Sequence, residues 1–280
     1  MKLWDYHTHN QLCLHADGML EEYVRAGIEK GLAEIGLSDH FPMYLLPEAA
    51  HVWQYSMKRE EFPSYIQEVK RLKEDYKDKI IVRVASEVDF YAPCFLEYKK
   101  AVSPYLDQMD YLLGSIHVIG PWENTEPFGV DDDIGMEKCK EFGANKVYIE
   151  YYKELGHLVD TRFYNILGHL DLPKKFGVRP ESPEEVMEHV LRLLDKLAKS
   201  EMSVEINMAG LLKPVKEPYP STAIIQEMID RKIPINLGSD SHKPINVGYH
   251  FEEMVQKLKK IGLKHLCKWE KREKILIPIN

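Results

Sequence analysis

The chain has 280 residues, with 37 Lys and Arg against 45 Asp and Glu, so its formal charge is −8 and it lacks the basic footprint of a nucleic-acid-binding protein. A hydrophobic fraction of 44% beside 29% charged residues is that of a folded globular chain and excludes wholesale disorder. No apolar run reaches the roughly 20 residues of a membrane-spanning helix, and the polar start Met1-Lys2-Leu3-Trp4-Asp5 has no apolar signal core, so a cytoplasmic protein is expected.

In chain order, strand-like runs at Lys2–His9, Ala33–Ser38, Ile80–Val88, Met109–Val118, Tyr164–Leu170, Ser203–Met208 and Ile233–Gly238 alternate with amphipathic helical segments. The helices are predicted at Leu20–Lys30, Glu60–Tyr76, Ala144–Val159, Pro183–Lys199, Thr222–Arg231 and Val247–Ile261. The fourth is the clearest: Val186, Val190, Leu193, Leu194 and Leu197 recur on one face, and Ser182, Pro183 and Glu185 read as a capping start. Such alternation predicts a parallel α/β sheet or barrel. No linker divides the chain, so one domain is expected over residues 1–280, with 263–280 packed on it or forming a surface tail. The charge-rich Lys268–Lys274 reads as solvated. Two long connections, Phe41–Arg59 and Ile119–Gly135, read as binding walls or as packed excursions. The four cysteines are far apart without a C-x-x-C, which predicts reduced thiols.

Twelve histidines are present, and many fall at strand ends. His7 and His9 sit two apart at the end of the first strand, a spacing that puts both rings on one face. The next strands end in Ser38-Asp39-His40, Ser86-Glu87-Val88-Asp89, Gly114-Ser115-Ile116-His117 and Gly168-His169-Leu170-Asp171, and the last in Gly238-Ser239-Asp240-Ser241-His242. In α/β barrels the carboxyl ends of the strands deliver side chains to one centre. Imidazoles with a minority of carboxylates suit Zn²⁺, Fe²⁺ or Mn²⁺ better than the oxygen-seeking Ca²⁺ or Mg²⁺. The candidates outnumber the roughly four ligands of a single tetrahedral ion, so two or three divalent ions are expected.

These motifs, beginning with Asp5-Tyr6-His7-Thr8-His9 and ending with Gly238-Ser239-Asp240-Ser241-His242, resemble in order the signatures of the polymerase and histidinol phosphatase (PHP) family of metal-dependent phosphoesterases. Glu87-Val88-Asp89, Leu113-Gly114-Ser115-Ile116-His117, Gly168-His169-Leu170-Asp171-Leu172 and Glu205-Ile206-Asn207-Met208-Ala209-Gly210-Leu211 resemble its histidinol-phosphatase branch. The resemblance implies a distorted (β/α)7 TIM-like barrel and a trinuclear centre that hydrolyses L-histidinol phosphate by attack of a hydroxide held between two ions. It further implies that His7, His9, Glu87 and Asp240 hold one ion, with Glu87 bridging to a second held by His117 and His169. A third falls to His15, His40 and His242, with Asp17 as the alternative to His15. Asp39 reads as an orienting partner or as a turn residue.

The remaining candidates serve the substrate. Arg162, before the fifth strand, offers a guanidinium fork to phosphate or is an ordinary surface arginine; Asn207, at the end of the sixth, offers an amide to the substrate or makes a structural hydrogen bond; Lys213 sits at the rim or is solvated. An amine and an imidazole on the substrate call for carboxylates and aromatic walls, which Trp122, Glu123 and Asp131–Asp133 supply. The leaving alkoxide would take its proton from Asp240 or from water on an ion. The expected partner is thus a small phosphate ester. The competing readings are a PHP enzyme acting on another ester or a nucleic-acid end, a zinc amidohydrolase, and a metal-stabilised scaffold without activity.

Overall fold

The computed structural model describes residues 1–122 and 125–279. In chain order the strands are β1 (Trp4–Asp5), β2 (Glu34–Leu37), β3 (Ile81–Asp89), β4 (Tyr111–Ser115), β5 (Val118–Ile119), β6 (Phe128–Gly129), β7 (Ile166–Leu167), β8 (Ser203–Asn207), β9 (Ile235–Gly238), β10 (His265–Glu270) and β11 (Glu273–Pro278). The helices are α1 (Leu20–Glu29), α2 (Phe62–Asp75), α3 (Phe95–Val102), α4 (Asp133–Phe142), α5 (Ala144–Asp160), α6 (Pro183–Leu197), α7 (Thr222–Asp230) and α8 (Phe251–Lys260). No helix among the described residues is long and apolar enough to cross a membrane.

Seven strands, β1-β2-β3-β4-β7-β8-β9, pair in parallel in that order. The sheet closes on itself where Tyr6 N donates to Leu237 O (3.3 Å), His9 N donates to Ser241 O (2.9 Å) and Thr8 bridges Ser241. Alternation along β3 shows why the barrel has a polar interior. Val82, Val84 and Val88 are buried on one face, while Arg83, Ala85 and Glu87 share the other. Gly36 is required in the wall, because a Cβ there would overlap the Tyr111 hydroxyl, which crosses the interior to donate to Tyr6 O at 2.6 Å.

The predicted alternation is present, with differences at its edges. The run Met109–Val118 is broken into β4 and β5, because the chain turns at Ile116-His117 and β5 pairs instead with β6. α3 is additional, and α4 begins inside the connection expected at Ile119–Gly135, capped by Asp132, whose side chain accepts from Gly135 N at 2.8 Å. α6 buries its predicted apolar stripe, but Ser182 does not cap it through its side chain; the Ser182 N–H donates instead to Asn145 Oδ1 at 3.0 Å.

Lys268–Lys274 is not a solvated tail. It belongs to the β10–β11 hairpin, which packs on the first residues of β1, β2 and β8 at the amino-terminal mouth of the barrel. Trp269 is buried and donates from Nε1 to Ser203 Oγ (2.8 Å), Trp4 Nε1 donates to Cys267 O (3.0 Å), and Arg272 Nη2 donates to Phe163 O (2.8 Å). The charges have partners there: Lys268 pairs with buried Glu34, and Arg83 reaches Glu34 (2.8 Å), Asp110 (3.4 Å) and Glu270 (3.1 Å). A charged run looks solvated in sequence, yet here it completes an ion network at the base of the barrel.

Candidate metal centre

The opposite, carboxyl-terminal mouth gathers the strand-end residues. Glu87, from the end of β3, sits at the middle and is almost wholly buried. Its Oε2 faces His40 Nδ1 (2.9 Å), His7 Nε2 (3.3 Å) and His9 Nε2 (3.5 Å). Its Oε1 faces His169 Nε2 (3.0 Å) and His117 Nε2 (3.8 Å). One carboxylate thus presents an oxygen to each of two imidazole groups. Asp240 approaches from beyond β9, with Oδ1 at 3.1 Å from His9 Nε2 and 3.7 Å from His7 Nε2. Its φ of 49° is left-handed, a conformation uncommon outside glycine that turns the carboxylate into the mouth.

Several rings are oriented from behind. His7 Nδ1 meets Glu205 Oε1 (2.8 Å), His9 Nδ1 meets Asp39 Oδ1 (3.2 Å) and His117 Nδ1 meets Asp89 Oδ1 (2.8 Å). In each case Nδ1 is the donor and Nε2 is left aimed at the centre, the arrangement that fixes tautomer and direction in metal-binding histidines. Asp39 therefore orients His9. It also accepts from Asn10 Nδ2 (2.5 Å) and from His40 N (2.9 Å).

The third group stands at the rim. His15 Nδ1 donates to Cys13 O (2.8 Å) and His242 Nδ1 to Asp240 O (3.0 Å), so both Nε2 atoms carry lone pairs, yet they lie 2.8 Å apart. Burial and the nearby His40 lower His15 to about 4, and burial with His9 holds His242 well below its ordinary value, so each ring keeps its one proton on Nδ1 and neither is cationic at neutral pH. Two facing lone pairs call for a cation. His40 completes the group, with its ring centre 5.6 Å from that of His15. Asp17 points elsewhere, with its carboxylate 71% exposed and paired to Lys243 at 3.1 Å.

Electrostatics make the same demand. Burial would raise Glu87 and Asp240, but His40, His7 and His117 around the first, and His7, His9 and His242 around the second, hold both well below the ordinary carboxylate range. His7 Nε2, His9 Nε2, His40 Nδ1 and Glu87 Oε2 are buried without a hydrogen-bond partner, although they converge. Buried donor atoms of this kind are paired or coordinate metal. The residues therefore fit a cluster of divalent ions.

A cavity of about 390 Å³ opens above this centre, a volume suited to a small molecule. Met43, Val52 and Tyr55 from the Phe41–Arg59 connection form one wall, with Tyr219 also lining the space. Asp131 and Asp132 line it too, and Lys175 Nζ donates to Asp131 O (2.7 Å) and Oδ2 (2.8 Å). Lys213 is half-buried in the lining rather than solvated; burial and neighbouring Lys175 lower its pKa, and it makes no ion pair among the described residues.

Four of the substrate-side candidates, Arg162, Asn207, Trp122 and Asp133, lie away from the cavity or are spent on the protein. Arg162 is exposed in the turn before β7, beside Phe163, whose carbonyl is held by the basal hairpin; it lies at the wrong end of the strand to reach the centre. Asn207 is wholly buried and spent on the protein, donating to Glu205 Oε2 (3.1 Å) and Asp240 Oδ2 (3.1 Å) and accepting from Ala209 N (3.0 Å). Trp122 packs edge-on against Phe128 and Phe142, outside the cavity lining. Within the same loop Glu123 lies outside the described residues, and Asp133 is exposed as the first residue of α4. Sequence reasoning gave no role to Glu205 or Lys175. Glu205 stands two residues before Asn207 on one strand and hence on the same face, which was the available signal. Lys175 sits in a 3₁₀ turn, Leu172–Phe176, with no periodic signal.

Fold and centre together define a parallel α/β barrel hydrolase type with a histidine- and carboxylate-rich cluster at its carboxyl mouth. Residues 5–209 match the family described as PHP domain, and the chain belongs to that family. A protein of Deinococcus radiodurans named probable histidinol-phosphatase is 33% identical over 260 residues, covering 93% of this chain and 94% of its own. The histidinol-phosphatase of Bacillus subtilis is 25% identical, covering 92% of this chain and 100% of its own. The fold is shared with the crystal structure of histidinol phosphate phosphatase from Lactococcus lactis, described as complexed with Zn, L-histidinol and phosphate. That likeness has a TM-score of 0.80 at 23% identity and covers 98% of this chain and 99% of the other.

Proposed function

We propose that this chain is a metal-dependent histidinol phosphatase, hydrolysing L-histidinol phosphate to L-histidinol and inorganic phosphate. The observation that carries the reading is Glu87, one buried carboxylate shared between two sets of imidazoles. The names of the Deinococcus and Bacillus relatives, matched over nearly their whole length, support the substrate.

His7, His9, Glu87 and Asp240 would hold one ion, Glu87, His117 and His169 a second, and His15, His40 and His242 a third. Zn²⁺, Fe²⁺ and Mn²⁺ suit this donor set. When bound, such ions supply Lewis acidity, activating water as a nucleophile and neutralising the phosphoryl oxygens. The chain's own residues do the rest. Lys213 and Lys175 face the cavity and meet the phosphate dianion with charge. Asp131 and Asp132 receive the substrate's ammonium and imidazole, with Lys175 exchanging its bond to Asp131 for one to phosphate. Tyr55, Met43 and Val52 shield the reacting group from bulk water.

The test is release of inorganic phosphate from histidinol phosphate beside sugar, nucleotide and aryl phosphates, with metals quantified in the same sample. Selective turnover of histidinol phosphate by protein holding two or three ions is expected. A preference for another ester would overturn the substrate, and metal-loaded protein inert on every ester would overturn the enzymatic reading.

A further inference from the structure

Glu205 lies at the back of the cluster, wholly buried in the middle of β8, and its partners among the described residues include no Lys or Arg. Its two oxygens are acceptors only, and three donors from three strands meet them. His7 Nδ1, after β1, lies 2.8 Å from Oε1. His169 N, after β7, donates to Oε2 at 3.1 Å. Asn207 Nδ2, on β8 itself, donates to the same oxygen at 3.1 Å and also to Asp240 Oδ2 at 3.1 Å. The carboxylate therefore touches the imidazole of His7 and the backbone that presents His169, and through one amide it steadies Asp240. The wall leaves room for it, because a Cβ on Gly238 of β9 would overlap Glu205 Oε1 and press on the His7 Cβ at 2.8 Å.

We infer that Glu205 is a positioning residue that sets the Nδ1–H tautomer of His7 and aligns His7, His169 and Asp240 as one unit toward the ions. The inference rests on the reading of those three residues as metal ligands. A buried carboxylate without a Lys or Arg partner is costly, and its retention here is explained by three donors that no neutral side chain can satisfy together. A glutamine has one acceptor oxygen and one NH₂ group. In either orientation, the NH₂ faces at least one N–H that now donates to a carboxylate oxygen.

The experiment uses full-length protein stripped with a chelator and titrated with Zn²⁺ against a chromophoric chelator, comparing wild type with Glu205→Gln and Glu205→Asp. Glu205→Gln is expected to weaken zinc binding by about 10- to 100-fold in the class of sites that includes His7. The His15, His40 and His242 class should keep its affinity, and activity should recover as zinc is raised. Glu205→Asp, which keeps the charge but draws the carboxylate back, is expected to fall between. In the zinc-loaded protein, ¹⁵N NMR of the imidazoles is expected to show His7 with its proton held on Nδ1 in wild type and that signature weakened in Glu205→Gln. Wild-type zinc affinity in Glu205→Gln, or an equal loss across every class with a lower melting temperature of the metal-free protein, would overturn the inference. A wild type that binds no zinc would overturn the metal reading itself, a separate failure visible in the first titration.

Discussion

Glu87→Gln tests the centre most directly. The replacement keeps the shape of the side chain but removes the charge shared by His7, His9 and His40 at 2.9–3.5 Å on one oxygen and by His169 and His117 at 3.0 and 3.8 Å on the other. Whichever way the amide turns, an NH₂ faces one set of ring nitrogens, so one ligand group is lost and the bridge with it. Taking one partner from a buried charged cluster costs about 3–5 kcal/mol, which is about 10²- to 10⁴-fold in an equilibrium or rate. Zinc content after dialysis and kcat/KM for phosphate release are the readouts. Dialysed Glu87→Gln should retain less metal than wild type and lose at least about a hundredfold in kcat/KM, by the same conversion. Full metal content with turnover within about twofold of wild type, below 0.5 kcal/mol, would refute the assignment of Glu87 as the shared ligand.

Other substitutions separate the roles. Lys213→Ala and Lys175→Ala should each lower kcat/KM by about 10- to 100-fold, the worth of a charge-assisted hydrogen bond of about 1.5–3 kcal/mol, while metal content by elemental analysis stays at the wild-type level. Arg162→Ala should leave kcat/KM within about twofold, as for an exposed position away from the site; a larger loss would return the arginine to the active site. Asp110→Asn should destabilise the basal network, because Asp110 is a buried partner of Lys73 and Arg83. Burial would raise the pKa of Asp110, but Lys73, the Val84 N–H and Arg83 hold it below the ordinary value. A depressed folded-state pKa contributes stability that is present above the unfolded value of about 4 and is lost as pH falls through the folded value. Denaturant melts should therefore show a deficit of the variant at pH 7 that shrinks below pH 4.

Much of the centre was legible because a parallel barrel sends the residues after each strand to the same mouth. His7, His9, His117 and His169 needed only the strands and their direction, whereas Glu87 over Asp89, and Asp240 as a ligand, came with the family resemblance. Of the two readings of Arg162, the surface one fits, because it precedes its strand and at about 3.3 Å per residue seven residues carry the chain from one mouth to the other. Asn207 and Glu205 share a face of β8, but that Glu205 rather than Asn207 meets His7 is decided by a contact across 198 positions.

The sequence by itself therefore determined the order of strands and helices and the direction of each strand, because alternation and spacing are local properties. It also determined the ligand types at the strand ends, and with them the chemistry of the centre. Only the tertiary structure decided that Lys175 and Lys213 face the cavity, that the β10–β11 hairpin seals the base, and that Glu205 backs His7. Those facts follow from closing the sheet, which brings β9 against β1 and makes neighbours of residues that no local pattern relates.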